Sequence, residues 1–276
     1  EETAGDTAFA KKLAQHGDCY INDAFGAAHR AHASTTQLAS FFPNAKMAGL
    51  LMNAEIENAK KVLLHAERPF TAIVGGAKVS DKILIVENLL NLADHIIIGG
   101  GMAYTFFKAL GGHIGNSLCE TERLDTCLEI LNKAKTKGVQ IHLPIDAIAA
   151  DRFAADANTQ IEPSNAISED RMGLDIGPKA ITDFEAVLLQ SKTILWNGPM
   201  GVFEMPAFEN GTKSMALAVA SATKNGAFSL IGGGDSAAAV QKFELSSQVS
   251  YVSTGGGALL EYFEGKVLPG VEALEA

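Results

Sequence analysis

Phe70-Thr71-Ala72-Ile73-Val74-Gly75-Gly76-Ala77-Lys78 reads as a short apolar strand that runs into a glycine turn. The same grammar recurs down the chain. Apolar runs at 95–98, 139–143, 193–196, 228–231 and 250–252 predict further strands. Helical patterns lie between them: Leu124, Leu128 and Leu131, closed by Gly138, and Ile181, Phe184 and Val187 after Pro178. Gly138 suits the left-handed position after a helix, and Pro178 suits the first helical position, where its missing N–H costs nothing. Short, uniformly apolar strands alternating with helices predict a parallel sheet covered on both faces. The fold class is therefore α/β, a doubly wound, Rossmann-like sheet.

Five strand ends carry unusual turns: Gly75-Gly76-Ala77-Lys78, Gly99-Gly100-Gly101-Met102, Asn197-Gly198-Pro199, Gly232-Gly233-Gly234-Asp235 and Thr254-Gly255-Gly256-Gly257. In an open parallel sheet such ends share one edge, where ligands bind. Glycine there admits a ligand close to the backbone, and the helix N-termini that follow offer N–H groups to an anion. A phosphate-bearing ligand explains the set better than tight turns alone. The chain has no Gly-x-x-x-x-Gly-Lys-Ser/Thr, so it is not a standard P-loop, and it has no clean Gly-x-Gly-x-x-Gly with an acidic ribose partner.

Lys78 and Lys82 fall four apart at the predicted opening of a helix, which places both ammonium groups on one face. The helix dipole disfavours cations there unless an anion lies between them, so a polyphosphate clamp is expected. The plain alternative is two solvated lysines, with Lys82 near Asp81 or Glu87. Asp235 follows three glycines and is placed as the N-cap of the next helix. The same carboxylate also suits Mg²⁺, a hard cation that takes oxygen ligands. Glu204 either accepts from sugar hydroxyls or faces water.

The composition narrows the class. The chain has 276 residues, 22 Lys+Arg against 32 Asp+Glu (22 − 32 = −10), 47% hydrophobic and 20% charged residues. At roughly 150 residues per domain that is a little under two domains, with enough apolar content for a sizeable core. An acidic chain is a poor partner for nucleic acid, which needs a basic face. No apolar run approaches the ~18 residues of a membrane span. Cys19, Cys119 and Cys127 form an odd, unpatterned set, as expected of free buried thiols in a reducing compartment. The expectation is a soluble, cytoplasmic protein.

The chain opens Glu1-Glu2-Thr3 without Met, so residue 1 is not expected to be a translation start. A helix is predicted over 5–17, with Phe9 and Leu13 on one face and Gly17 at its end, followed over 18–26 by a strand that runs into a turn. One helix and one strand cannot bury a core, so residues 1–45 read as the tail of a domain whose earlier part lies outside this sequence. Met52, Ile56, Ala59 and Leu63 then mark the stripe of a long helix that ends before Arg68-Pro69. It reads equally as a connector between domains or as a surface helix.

Several stretches resemble one family. Asn22-Asp23-Ala24-Phe25-Gly26-Ala27-Ala28-His29-Arg30-Ala31-His32, Gly75-Gly76-Ala77-Lys78-Val79-Ser80-Asp81-Lys82, Gly173-Leu174-Asp175-Ile176-Gly177-Pro178, Trp196-Asn197-Gly198-Pro199-Met200-Gly201-Val202-Phe203-Glu204 and Gly232-Gly233-Gly234-Asp235 look like phosphoglycerate kinase, in order and over essentially the whole chain. The resemblance implies two doubly wound domains. It also implies phosphoryl transfer in glycolysis between 1,3-bisphosphoglycerate and Mg-ADP, giving 3-phosphoglycerate and Mg-ATP. The partners it implies are these small molecules, with no nucleic acid or membrane, and a monomer when complete.

Carried across, the resemblance places Gly76, Gly99, Gly100, Leu118, Phe153, Met172, Leu174 and Val202 around adenine and its sugar, with Gly173, Pro199, Gly233 and Gly234 in the same set. Glu204 would meet the ribose, Asn197 and Lys82 the phosphates, and Asp235 the Mg²⁺, with Ser236 beside it. Lys78, Lys82 and the N–H groups of Gly256 and Gly257 would serve the transferring phosphoryl group. Arg30 and Asp23 would belong to the glycerate site. The implied organisation is 1–45 as the remnant of the 3-phosphoglycerate domain, 46–68 as the interdomain helix, 69–257 as the nucleotide-binding domain and 258–276 as a segment returning toward the N-terminal domain. The family's earlier N-terminal motifs are missing from this sequence. The chain alone is therefore expected to bind ATP or ADP while lacking part of the transfer site; the alternative is a non-catalytic adenine-nucleotide-binding module.

Overall fold

A computed structural model describes residues 1–275. They form two compact units, one of His65–Val252 and one of Glu1–Leu64 with the segment from Ser253 onward.

The unit from His65 to Val252 is built on six parallel strands: β1 (Phe70–Val74), β2 (His95–Ile98), β3 (Gln140–His142), β4 (Thr193–Asn197), β5 (Phe228–Gly232) and β6 (Tyr251–Val252). Their order across the sheet is β3-β2-β1-β4-β5-β6. Every residue of β1 and β4 is buried, because helices cover both faces; this is why the strands read as continuous apolar runs rather than as alternating ones. The helices between them are α1 (Ile83–Leu89), α2 (Met102–Ala109), α3 (Leu124–Lys137), α4 (Pro178–Leu188), α5 (Asn210–Lys224) and α6 (Gly234–Lys242). On one face Ile73, Ile97, Trp196 and Ile231 of the strands pack with Phe184 of α4 and Met215 and Val219 of α5.

Local signals act as the sequence predicts at two helix ends. Gly138 follows α3 with φ 73°, and Pro178 opens α4 at its first turn. The buried face of α3 is Cys127, Ile130 and Ala134, however, and Leu128 lies outside. Asp146 completes the start of α4 from another element: its carboxylate accepts from Lys179 N at 3.1 Å and Ala180 N at 2.8 Å.

One layer is absent from the sequence reading. Asp146–Ala150 pairs antiparallel with both Thr159–Pro163 and Met172–Ile176 to make a three-stranded sheet. The register between Met172–Ile176 and its neighbour shifts between Gly173 and Asp175. Leu174 is the extra residue, and such a bulge re-aims a side chain.

In the other unit the predicted helix over 5–17 is shorter, Thr7–Ala14, with Asp6 capping Phe9 N at 2.6 Å. Gln15, not Gly17, closes it. The strand expected to run into a turn over 18–26 is Tyr20–Asn22, paired parallel with Lys46–Ala48, and the turn at Phe25–Ala27 follows it. The long helix is Leu50–Leu63, and its buried face is Met52, Glu55, Ala59 and Val62, not the stripe through Ile56 and Leu63. An apolar stripe misses this face because Glu55 is 1% exposed. Its carboxylate is saturated by Ser253 Oγ (2.6 Å), Thr254 N (2.7 Å) and Thr254 Oγ1 (2.8 Å). Helices Gly257–Phe263 and Pro269–Glu275 follow. The three cysteines are free thiols, but only Cys127 is buried; Cys119 is half-buried and Cys19 exposed. Among the described residues no helix is long and apolar enough to cross a membrane.

Candidate functional site

Four of the five glycine turns follow β1, β2, β4 and β5, so all four lie at the C-terminal edge of one parallel sheet. The fifth, from Thr254 to Gly257, belongs to the other compact unit. The strand order reverses direction between β1 and β4, the position at which open α/β sheets bind ligands. Backbones approach closely there: Gly75 N donates to Asn197 O at 2.8 Å. Gly198, at φ 100°, sits where a Cβ would run into the Gly75 carbonyl.

Above this crevice lies a cavity of about 520 Å³. Gly76 and Gly100 form its floor at the strand ends, and Leu118 faces it from the segment after α2. Met172, Gly173 and Leu174 wall it from the antiparallel sheet, joined by Phe153 from the hairpin turn. Leu174 is held by the bulge, and its carbonyl accepts from Val202 N at 2.9 Å, which ties that wall to the loop after β4. Pro199, Val202 and Glu204 of that loop, and Asp235 of α6, complete the rim. Leu118 (62%) and Phe153 (59%) are largely exposed apolar side chains, a state that a planar apolar ligand would relieve.

The remaining predicted residues of this unit lie behind the lining. Lys82 immediately precedes α1, and its Nζ donates to Asn197 Oδ1 at 2.5 Å; Asn197 Nδ2 donates to Gly232 O at 3.0 Å. Glu87 pairs with Lys133 at 2.6 Å. The two lysines do not share a helical face. Residues 79–82 form a turn closed by Lys82 N to Val79 O at 2.8 Å, and α1 begins only at Ile83, which leaves Lys78 exposed in the loop.

Asp235 is not the N-cap. Gly233 holds that position and Asp235 lies in the first turn of α6, exposed, with no hydrogen-bond partner among the described residues. Ser236 is buried and accepts from Gly198 N at 2.6 Å, so its oxygen serves the β4 turn. Gly99 lies at the end of β2 packed against Met200, and Gly233 and Gly234 lead into α6 beside Asn197.

Sequence reasoning missed Tyr104 and Asp175, which also line the cavity. Asp175 accepts from Gly211 N (2.7 Å) and Ile176 N (2.9 Å). Burial pushes its carboxyl up to about 7, although both N–H bonds pull the other way. Burial, then the Asp175 charge, raises the Tyr104 hydroxyl well above the usual range and keeps it neutral. The only signal in the sequence was position: Asp175 stands inside the Gly173–Pro178 motif.

The other four predicted residues lie in the second unit. Asp23 Oδ1 accepts from Met52 N at 2.8 Å and so caps the Leu50–Leu63 helix. Arg30 is exposed and donates from Nε to His29 Nε2 at 3.2 Å. Gly256 and Gly257 lead into the Gly257–Phe263 helix.

The family model for phosphoglycerate kinase matches residues 1–266. The phosphoglycerate kinase of Porphyromonas gingivalis is 55% identical over 273 residues, 99% of this chain and 65% of its own length. That of Dictyoglomus turgidum is 52% identical over 275 residues, 100% of this chain and 68% of its own. The solved phosphoglycerate kinase of Coxiella burnetii superposes with a TM-score of 0.94 at 44% identity, covering 99% of this chain and 69% of that one. For the Pyrococcus horikoshii enzyme the values are 0.82, 30%, 98% and 68%. The chain thus spans about two thirds of the length of these relatives.

Proposed function

Because the chain belongs to the phosphoglycerate kinase family, we propose that it takes part in reversible phosphoryl transfer between 1,3-bisphosphoglycerate and Mg-ADP, and that its His65–Val252 unit holds the nucleotide. The observation that carries this reading is the cavity itself. One hollow at the sheet's switch point has an apolar, partly exposed lining at one end and Asp235 on its rim, with Lys82 and Asn197 behind the same glycine turns. That is the polarity of an adenine nucleotide, apolar at the base and anionic at the tail.

In this reading Leu118, Phe153, Leu174 and Val202 bury the base, and Glu204 accepts from the ribose hydroxyls. Lys82, already oriented by Asn197, meets the phosphates. Lys78, exposed in its loop, is placed to move toward the transferring group. Asp235 fits a magnesium ion, because its carboxylate spends no oxygen on a neighbouring N–H. Among the described residues no three His, Cys, Asp or Glu cluster as a metal site, so substrate phosphates would supply most of the ligands, as is usual for Mg²⁺. When bound, the ion neutralises charge on the phosphate oxygens.

Phosphoryl transfer asks the protein for alignment and positive charge rather than for a nucleophile. Lysines and backbone N–H groups meet that need, those of Gly256 and Gly257 included. Arg30 and Asp23 would serve the glycerate, Arg30 through a guanidinium suited to carboxylate or phosphate. Asp23's role is the weaker of the two, since its Oδ1 already caps a helix.

Calorimetric titration with Mg-ADP tests the reading. The chain is expected to bind one equivalent, and Asp235→Ala to weaken Mg-ADP without weakening ADP in the absence of Mg²⁺. No binding by the unaltered chain would refute it.

A further inference from the structure

We infer that Glu120 is a positioning residue for the loop that carries Lys78 and Lys82, and that it couples the base-side wall of the cavity to the phosphate-side lysines. The inference deepens the nucleotide reading and rests on it.

Glu120 ends the segment that contributes Leu118 to the cavity. That segment is anchored at three points. Ser117 Oγ accepts from Gly173 N at 2.9 Å, on the wall where Met172 and Leu174 face the base end. Glu120 N donates to Thr105 Oγ1 of α2 at 3.2 Å. The Glu120 carboxylate then reaches across to Ser80: Oε2 accepts from Ser80 N at 3.0 Å and Oε1 from Ser80 Oγ at 2.5 Å.

Ser80 stands midway between the two lysines. A two-point hold on its N–H and its hydroxyl fixes both the backbone and the side chain of the turn, which no single bond does. Met102 N donates to Gly76 O at 3.0 Å before this loop and Lys82 N to Val79 O at 2.8 Å within it, while Lys78 itself is exposed. The path from Leu118 to Lys78 and Lys82 is therefore continuous and short: Leu118, Glu120, Ser80, the lysine turn. The carboxylate is ionised at neutral pH. Burial alone would raise its titration, but the Ser80 hydroxyl and N–H, the Val79 N–H and the nearby Lys78 charge outweigh burial and hold it below the usual range.

The sign of the effect separates positioning from charge. A carboxylate near Lys78 that acted only through its charge would oppose an incoming phosphate, so its removal would tighten binding. A carboxylate that holds the lysine turn in place does the reverse.

The test uses the whole chain and two probes, adenosine, which carries no phosphate, and Mg-ADP, titrated calorimetrically into the unaltered protein, Glu120→Ala, Glu120→Gln and Ser80→Ala. Adenosine affinity should change by less than twofold throughout. Mg-ADP affinity should fall about tenfold in Glu120→Ala and three- to fivefold in Ser80→Ala, with Glu120→Gln, which keeps one acceptor, between Glu120→Ala and the unaltered protein. An unchanged or increased ratio of Mg-ADP to adenosine affinity would overturn the inference, as would an equal loss for both probes, which marks general damage. If Glu120→Ala does not fold, the same ratio in Ser80→Ala decides. Failure of the unaltered chain to bind either probe would overturn the nucleotide reading itself; normal binding with an unmoved ratio overturns only the role of Glu120.

Discussion

Replacing Asp175 by Asn should flatten the dependence of stability on pH. Asp175 lies beside the cavity with two N–H donors and no cationic partner among its contacts, and burial raises its carboxyl from 3.8 to about 7. The native state therefore keeps a proton that the unfolded chain has already lost. Over the window from about 4 to 7 the native protein binds more protons than the unfolded one, so unfolding free energy falls as pH rises, by roughly 1.4 kcal/mol per pH unit at most. The stabilisation is fully present below the unfolded value and is gone above the native one. Summed between pH 5 and 8 the loss comes to roughly 2–3 kcal/mol, the tail above 7 contributing little. Asparagine cannot ionise, so the variant lacks this component while every other titrating group is retained. Urea unfolding at pH 5, 6, 7 and 8 on both proteins gives the difference directly. The difference between the two curves should open across pH 5–7 and level off near 8. Curves that run parallel over the whole range would refute the reasoning, because they would mean that Asp175 ionises alike in both states.

Three further outcomes follow from the same geometry. Lys82→Ala removes a charged donor already oriented by Asn197, and should weaken Mg-ADP by about 1.5–3 kcal/mol in a calorimetric titration, with adenosine unaffected. Asp146→Ala strips the carboxylate from Lys179 N and Ala180 N at the start of α4 and should cost about 1–2 kcal/mol in chemical denaturation. Gly198→Ala forces a Cβ into a left-handed position against the Gly75 carbonyl, and should cost about 1–3 kcal/mol from backbone strain alone, lowering the melting temperature and opening the crevice between β1 and β4.

The parallel sheet was legible because burial on both faces leaves a signature that needs no partner to interpret: β1 and β4 are buried along their whole length, mostly apolar, and each is followed by glycine. The antiparallel sheet carries no such mark. Thr159–Pro163 is exposed at four of its five positions, and Met172–Ile176 is broken by a bulge, so neither shows a clean alternation. The helix Leu50–Leu63 was found, but its buried face was misplaced, because a carboxylate satisfied by Ser253 and Thr254 is as much at home inside as a leucine. The site divides in the same way. Its glycine turns declare themselves locally, and so do Lys78, Lys82 and Asp235. Asp175 and Glu120 act through neighbours 36 and 40 residues away, and Tyr104 by burial beside Asp175, and nothing within their own stretch of chain announces that. The expected N-cap at Asp235 failed by two residues: α6 starts at Gly234, with Gly233 as its cap, and the carboxylate that a cap would have used is left on the rim of the cavity.

The most direct measurement is a crystal structure of the chain soaked with Mg-ADP. The purine should lie between Leu118 and Leu174, the diphosphate beside Lys82 and Asn197, and the ion on Asp235. Density for the nucleotide anywhere other than the hollow above β1 and β4, or a reversed ligand with its phosphates against Leu118, would contradict that placement.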